Sequence, residues 1–286
     1  MKFLVHLHAY YQDMIPEILS YIQILPPEDY ELFVTLNQKN QQTRELILKN
    51  NPKAQIQIVS NRGYDLAPFL SVIKQVNLNN YDFVLKLHTK RDLPAPAELP
   101  SCRFQKDEWR NCLLGFLRSS EIFSDTLKMF EKFPQIGMIS HRNLLMVSGK
   151  EDREANRRAA EIMQLMGLRI AKKQFVAGTM FICRAKLMQP LQKLPYTDKD
   201  FDVPMANHQG GTLAHALERV LGWMILAQGY KIGSYEAWNL KAAIKKATYK
   251  LKRFLYRKHT NSKGVTHIKI CKIPVYKSRI YHKKTH

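Results

Sequence analysis

Three stretches of the 286-residue chain collect side chains able to do chemistry. In YDFVLKLHTKRD, Tyr81 to Asp92, the residues Lys86, His88 and Lys90 stand two apart, so an extended backbone turns them to one side, with Arg91 next to them. Three potential cations on one face repel each other unless an anion sits among them, and a diphosphate answers that need better than water does. In Asn61-Arg62-Gly63-Tyr64-Asp65, Asn61 and Gly63 suit a tight turn, while Asp65 either caps the helix that follows or reaches the base or ribose of a nucleotide. From Gly210 to Arg219, helical spacing makes His215, Glu218 and Arg219 neighbours, either as an ordinary surface pair or as an imidazole and a carboxylate that can take a proton. A further segment, FVAGTMFICR from Phe175 to Arg184, has a small Ala177-Gly178-Thr179 entry that permits close approach of a ligand at Thr179, or simply tight packing.

The elements that must position these groups alternate along the chain. Short apolar runs at 2–9, 31–36, 54–59 and 82–87 read as strands, separated by helical spacing at 14–24, 41–49 and 65–76. After a polar loop at 91–106 the pattern predicts a helix over 108–133, a strand at 136–140, a charged amphipathic helix at 150–167 and a strand at 175–183. A loop at 195–211 then leads into a helix at 212–228 that Gly229 ends. This order predicts an α/β fold, a Rossmann-type, mostly parallel sheet flanked by helices. Ligands of such sheets sit beyond the carboxyl ends of the strands, so the three charged clusters are expected to share one edge.

Composition excludes a disordered chain, with 45% hydrophobic residues. No apolar run reaches the ~20 residues of a membrane span, and His6 and His8 interrupt the start where a signal peptide needs apolar residues, so a cytoplasmic protein is expected. Cys102, Cys112, Cys183 and Cys271 lie far apart with no CxxC pair, which indicates neither a zinc site nor a disulfide framework. The charge is uneven. Residues 241–286 hold 15 Lys and Arg and no acid, leaving 30 bases against 24 acids in the first 240 residues. The tail's anionic partner is therefore separable from the substrate of the body. A nucleic-acid binder is the rival reading of the basic, aromatic tail, but a body so nearly balanced in charge, with no recognisable nucleic-acid fold, argues against nucleic acid as a partner.

Taken together, NRGYDLAPFL (61–70), YDFVLKLHTKRD (81–92), IGM (136–138), FVAGTMFICR (175–184) and GTLAHALERVLG (211–222) resemble the rhamnan-synthesis protein F family over residues 2–235. The resemblance implies a GT-A-like glycosyltransferase over residues 1–240. It would be an inverting hexosyltransferase that uses a nucleotide-sugar donor, commonly dTDP-L-rhamnose, on a lipid-linked saccharide acceptor, in the synthesis of lipopolysaccharide O-antigen, capsule or rhamnan. Asn61, Gly63, Asp65, Lys86, His88, Lys90, Arg91 and Thr179 would bind the donor. Glu218, eleven residues before Gly229 on a late helix, would be the catalytic base, with His215 the second candidate. Where many GT-A enzymes carry Asp-x-Asp, this chain has His88-Thr89-Lys90, so its own cations would take the place of a metal; Asp92 or Asp65 could still serve as a single ligand to Mg²⁺ or Mn²⁺. Gly210 and Tyr64 depart from the family, which usually has an acid and a second arginine there. An inactive, sugar-nucleotide-binding partner of a larger synthase is the alternative.

In the tail, Leu240, Ile244, Ala247, Leu251 and Phe254-Leu255 recur at helical spacing. They predict a basic amphipathic helical extension over 241–286. Lys245, Lys246, Lys250, Lys252, Arg253 and Arg257 would lie against an anionic membrane surface and make the protein peripheral at the inner face of the plasma membrane.

Overall fold

The computed structural model describes residues 1–93, 96–99, 102–149, 152–204, 211–236, 248, 251, 254–260, 265–271 and 273–279. Contacts along the chain divide it into two units, Met1–Ala95 with Gln105–Glu236, and Pro96–Phe104 with Ala237–His286.

The first unit opens with β1 (Phe3–Ala9), α1 (Ile15–Ile22), β2 (Tyr30–Leu36), α2 (Gln41–Asn50), β3 (Gln55–Ile58), α3 (Leu66–Gln75) and β4 (Phe83–His88). Strands fully covered on both faces need near-continuous apolar sequence, and β1 (FLVHLHA) and β4 (FVLKLH) are buried throughout. His6, His8, Lys86 and His88 are the exceptions to that rule. Because β1 and β4 pair in parallel register, His6 lies opposite Lys86 and His8 opposite His88. Thr35 of β2 extends the line, opposite His8. One face of the sheet's centre is thus a buried polar stripe, and α3 lies over it, with the Phe69 ring 5.6 Å from that of His6 and 5.3 Å from the Lys86 ammonium.

In the second unit β5 (Ala97–Leu99) and β6 (Cys102–Phe104) form a hairpin where the sequence suggests only loop. The first unit resumes with α4 (Glu108–Leu114), α5 (Ser120–Lys132), β7 (Ile136–Ser140), β8 (Leu145–Val147), α6 (Arg153–Leu165), β9 (Gln174–Val176), β10 (Phe181–Arg184), α7 (Leu213–Ala227) and β11 (Lys231–Ser234). The continuous helix expected over 108–133 is broken, because the Ser119 hydroxyl caps a new start by accepting from the Ile122 N–H at 3.3 Å. The strand expected over 175–183 is also broken, at Gly178 and Thr179, whose φ of +78° and +52° lie outside the strand region. Consequently β9 pairs with β8, while β10 enters the main sheet. That sheet runs β11-β7-β10-β4-β1-β2-β3, parallel except for β10, which is antiparallel to both neighbours. It is the mixed α/β, mostly parallel, helix-flanked sheet that the alternation of elements predicts.

Helix α7 is apolar on nearly every side and buried. Its Gly222 lets it lie directly on β9, since a Cβ there would stand 2.4 Å from the Gln174 carbonyl oxygen and 2.5 Å from the Phe175 Cα. Backbone atoms cannot step aside as a side chain can. Gly222→Ala should therefore destabilise the protein by about 2–3 kcal/mol, read as a lower urea midpoint, whereas an unchanged midpoint would mean α7 is free to slide.

The second unit continues with β12 (Tyr256–Thr260), β13 (Val265–Ile270) and β14 (Ile273–Arg279), an antiparallel three-stranded sheet. This corrects the expectation of a helical extension through residue 286. Thr248, Leu251, Phe254 and Leu255 are helical, but VTHIKI and IPVYKSR are rich in Val, Ile, Thr and Tyr, whose side chains favour strands. Arg257 falls in β12; Lys245, Lys246, Lys250, Lys252 and Arg253 lie outside the described residues. Among the described residues no helix is long and apolar enough to cross a membrane.

Candidate active site

Asp65 occupies the N-cap position of α3, yet its side chain makes no capping hydrogen bond. Its Oδ2 instead accepts from the Lys86 ammonium and, at 2.5 Å, from the Thr179 hydroxyl. Lys86 also donates to the Thr179 carbonyl at 3.1 Å and to its Oγ1 at 2.9 Å. An ammonium has three hydrogens, and these three acceptors use them all. The Lys86 side chain is 0% exposed and that of Asp65 15%. The anion that the row of cations calls for is therefore a carboxylate of the chain itself, and Lys86 has no donor left for a diphosphate. In this arrangement Lys86, expected as a donor-binding residue, holds Asp65 and Thr179. Burial alone would raise the Asp65 pKa, but the charges of Lys86 and His88 and the bonds from Lys86 and Thr179 outweigh it and hold the carboxyl well below the usual carboxylate range. Burial lowers the Lys86 pKa, with the Asp65 charge opposing. Among the described residues Oδ1 of Asp65 takes no hydrogen bond, so the partly exposed carboxylate keeps one oxygen for a ligand.

Two strained turns meet at this pair. Gly63 and Tyr64 have φ of +64° and +55°, and Thr179 follows Gly178 with φ of +52°, an unusual value for a β-branched residue. The first turn is tied down by Gly63 N–H to the Asp202 carbonyl at 3.0 Å and Arg62 to the Phe201 carbonyl at 2.8 Å. The second is packed from behind, where a Cβ on Gly178 would stand 2.7 Å from Leu113.

The Gly178 peptide groups join two more candidates. Its N–H donates to Glu218 Oε1 at 3.0 Å, and its carbonyl lies 2.9 Å from His88 Nε2. The other ring nitrogen of His88 lies 3.2 Å from the Thr89 carbonyl. A neutral imidazole donates from one nitrogen only, and the shorter contact assigns the proton to Nε2. Burial lowers the His88 pKa, against the pull of Asp65, so at neutral pH His88 is a donor to Gly178 and not the cation expected at this position. Glu218, on α7, keeps 21% side-chain exposure, with Arg219 3.6 Å from its Oε2. Burial raises its pKa, the Gly178 N–H and Arg219 oppose, and the Asp65 charge adds to the rise. It is thus a stronger base than an ordinary carboxylate. One turn earlier, the Thr212 hydroxyl caps α7 and lies 2.6 Å from His215 Nδ1. The His215 ring stands edge-on to Tyr64 at 6.0 Å.

Asp65, Lys86, Thr179, His88 and Glu218 therefore form one connected network, with His215 beside it. Asn61 is exposed and Lys90 half-buried, and neither bonds to the network among the described residues. Arg91 is exposed, paired with Asp13 at 2.9 Å and stacked on Tyr11. Asp92 pairs with Arg110 at 2.8 Å, and Arg110 also holds Glu17. The two carboxylates considered as single metal ligands thus sit in separate ion pairs, Asp65 with an ammonium on its oxygen and Asp92 with a guanidinium. Among the described residues no three His, Cys, Asp or Glu side chains converge as a ligand set. These residues do not fit a divalent cation.

Sequence reasoning missed Thr35 and gave His6 and His8 no part in a site. Both are buried and bonded: the Thr35 hydroxyl lies 3.0 Å from both His6 Nε2 and His8 Nδ1, so it donates to one ring and accepts from the other. Burial, together with nearby Lys86, pushes the His6 pKa well below normal; burial brings His8 down to about 4. An unfolded chain takes up these protons near pH 6.5 and the folded one does not, so stability is lost as pH falls from 6.5 toward 4. His8 alone accounts for roughly 3 kcal/mol across that range, with His6 and His88 acting in the same direction. Urea midpoints at pH 7.5 and 4.5 should differ accordingly. His8→Asn, whose amide can reach the Nδ1 position, should flatten the dependence, and a midpoint independent of pH would contradict buried, neutral histidines.

The model of the family described as rhamnan synthesis protein F matches residues 1–230. The WxcX proteins of Xanthomonas campestris pv. campestris strains B100 and ATCC 33913 are each 26% identical over 246 residues, covering 81% of this chain and 32% of theirs. The chain spans about a third of the length of these relatives. Among solved structures, residues 1–349 of TarS from S. aureus align with a TM-score of 0.41 and 13% identity, over 82% of this chain and 58% of that one. The mannosyltransferase PcManGT from Pyrobaculum calidifontis, in complex with GDP-Man and Mn²⁺, aligns with a TM-score of 0.41 and 14% identity, over 82% and 54%.

Proposed function

The chain belongs to the rhamnan synthesis protein F family, and from that premise we propose that its α/β body is a GT-A-type glycosyltransferase that extends a bacterial surface polysaccharide. The donor is a nucleotide sugar, dTDP-L-rhamnose foremost, and the acceptor a lipid-linked saccharide. One observation carries the reading: a partly exposed carboxylate of raised basicity, Glu218, is aimed by the Gly178 N–H into the same network as Asp65, which keeps a free oxygen for the donor.

In the reaction Glu218 takes the proton of an acceptor hydroxyl as its oxygen attacks the anomeric carbon of the sugar. The bond from that carbon to the diphosphate breaks, and the electron pair leaves with the nucleoside diphosphate. Attack from the face opposite the leaving group inverts the anomeric centre. Asp65 Oδ1 accepts a hydroxyl or N–H of the nucleoside, while Lys86 and Thr179 fix the carboxylate. Lys90 and Arg91, at the end of β4, are the cations left to meet charge growing on the diphosphate. The tail, rich in lysine and arginine, would hold the enzyme against anionic lipid at the inner face of the plasma membrane, at roughly 1 kcal/mol per basic residue.

Calorimetry of the protein against dTDP-rhamnose, UDP- and GDP-sugars, with and without Mg²⁺ or Mn²⁺, tests this. Selective binding of one donor is expected, and binding of none under any condition would remove the transferase reading. Co-sedimentation with phosphatidylglycerol vesicles should weaken when residues 241–286 are deleted; equal binding would sink the membrane role.

A further inference from the structure

A cleft of about 570 Å³ runs along the outer flank of α3, between the edge strand β3 and the segment 196–201. Neither Asp65, Lys86, His88, Thr179 nor Glu218 lines it, so it is separate from the network above. It adjoins that network, however, because Ser60, Ala67 and Pro68 belong to the same turn and first helical coil that present Asp65.

The polar groups of the cleft are built and partly unspent. Gln57 donates its amide to Gln75 at 2.6 Å, and Gln75 donates to Ser71 at 3.1 Å, which locks both amides and leaves the Gln57 carbonyl oxygen without a partner among the described residues. Lys74 donates to the Leu194 and Tyr196 carbonyls at 2.8 and 3.0 Å, using two of its three hydrogens. The Asp198 carboxylate is in no ion pair among the described residues. Between these groups lie apolar surfaces of Ile58, Val59 and Pro68 and the half-buried Tyr196.

One cation and one anion in a single cleft give no net charge, which disfavours a phosphate. Scattered donors and acceptors disfavour a purely apolar guest. A ligand with hydroxyl groups around its edge and C–H groups on its faces satisfies both kinds of surface, and the volume is that of a small-molecule site. We propose that this cleft binds a neutral saccharide, a segment of the acceptor polysaccharide several units from the end being extended. The assignment to an acceptor rests on the transferase reading; the assignment to a saccharide rests on the cleft itself.

The test is saturation-transfer NMR of the full chain, without nucleotide, against neutral oligosaccharides of rhamnose, mannose and N-acetylglucosamine. At least one should receive saturation, and Asp198→Ala and Gln57→Leu should each weaken it five-fold or more while thermal midpoint and nucleotide-sugar affinity stay unchanged. Glu218→Gln should leave oligosaccharide binding intact. If no oligosaccharide binds, or if neither cleft variant weakens binding, the proposal is overturned. If the cleft variants instead abolish nucleotide-sugar binding, the cleft belongs to the donor and the proposal is equally overturned. Oligosaccharide binding at the cleft in a protein that binds no nucleotide sugar would uphold the saccharide site and remove the transferase reading alone.

Discussion

Lys86→Met should cost the protein about 3–5 kcal/mol of stability and abolish sugar transfer. Methionine fills much of the same volume, so the loss is electrostatic and not a cavity effect. It leaves Asp65 Oδ2 without its cation and the Thr179 carbonyl without a donor, in a place where the lysine side chain is 0% exposed. A buried pair is worth little over a well-packed apolar replacement, yet removing one member leaves a largely buried charge with only the Thr179 hydroxyl and limited solvent to compensate it. The double variant Lys86→Met/Asp65→Leu should therefore recover most of the stability lost by the single one, measured as ΔG from urea unfolding. On the proposed reading activity should not return, because Asp65, the carboxylate assigned there to the donor, is gone. A loss under 1 kcal/mol in the single variant, or a double variant as unstable as the sum of its parts, would show that the pair is not the keystone described.

Glu218→Gln should lower kcat by 10²- to 10⁴-fold, about 3–5 kcal/mol of barrier, with nucleotide-sugar affinity retained. Glutamine preserves the oxygen that accepts from Gly178, so geometry survives while basicity is lost. The wild-type rate should climb with pH through the Glu218 pKa, which lies above the ordinary carboxylate value, and the variant should lack that limb. Stability moves the opposite way. Burial penalises the ionised form of Glu218, so the neutral amide should be at least as stable as wild type at pH 7, the trade expected when a strained functional group is removed. An active Glu218→Gln would transfer the role of base to His215, which can be tested by His215→Gln.

The first four strands, the three helices between them and their order were legible because β1 to β4 and those helices carry clean periodicity. The break at Gly178 and Thr179 was not. FVAGTMFICR reads as one strand, and the left-handed turn inside it is held by Asp65 and Lys86, 114 and 93 residues away in sequence. The spacing of Lys86 and His88 correctly placed them on one face, but spacing carries no information about which anion answers them, and the answer came from Asp65 rather than a ligand. Thr35 and the two early histidines acquire meaning only from the parallel register, which no local pattern encodes. In the tail, apolar residues at helical spacing give way to segments rich in Val, Ile, Thr and Tyr, and the basic charge common to both obscured the change.

One residue, Gly178, meets Glu218 through its N–H and His88 through its carbonyl, and so ties two side chains from distant elements to a single turn. Any substitution that rotates this turn shifts the base and the histidine together, so the catalytic geometry can be inherited or lost but not adjusted piecemeal. Tyr64 and His215 meet edge-on at 6.0 Å, and neither contacts Gly178 among the bonds described above.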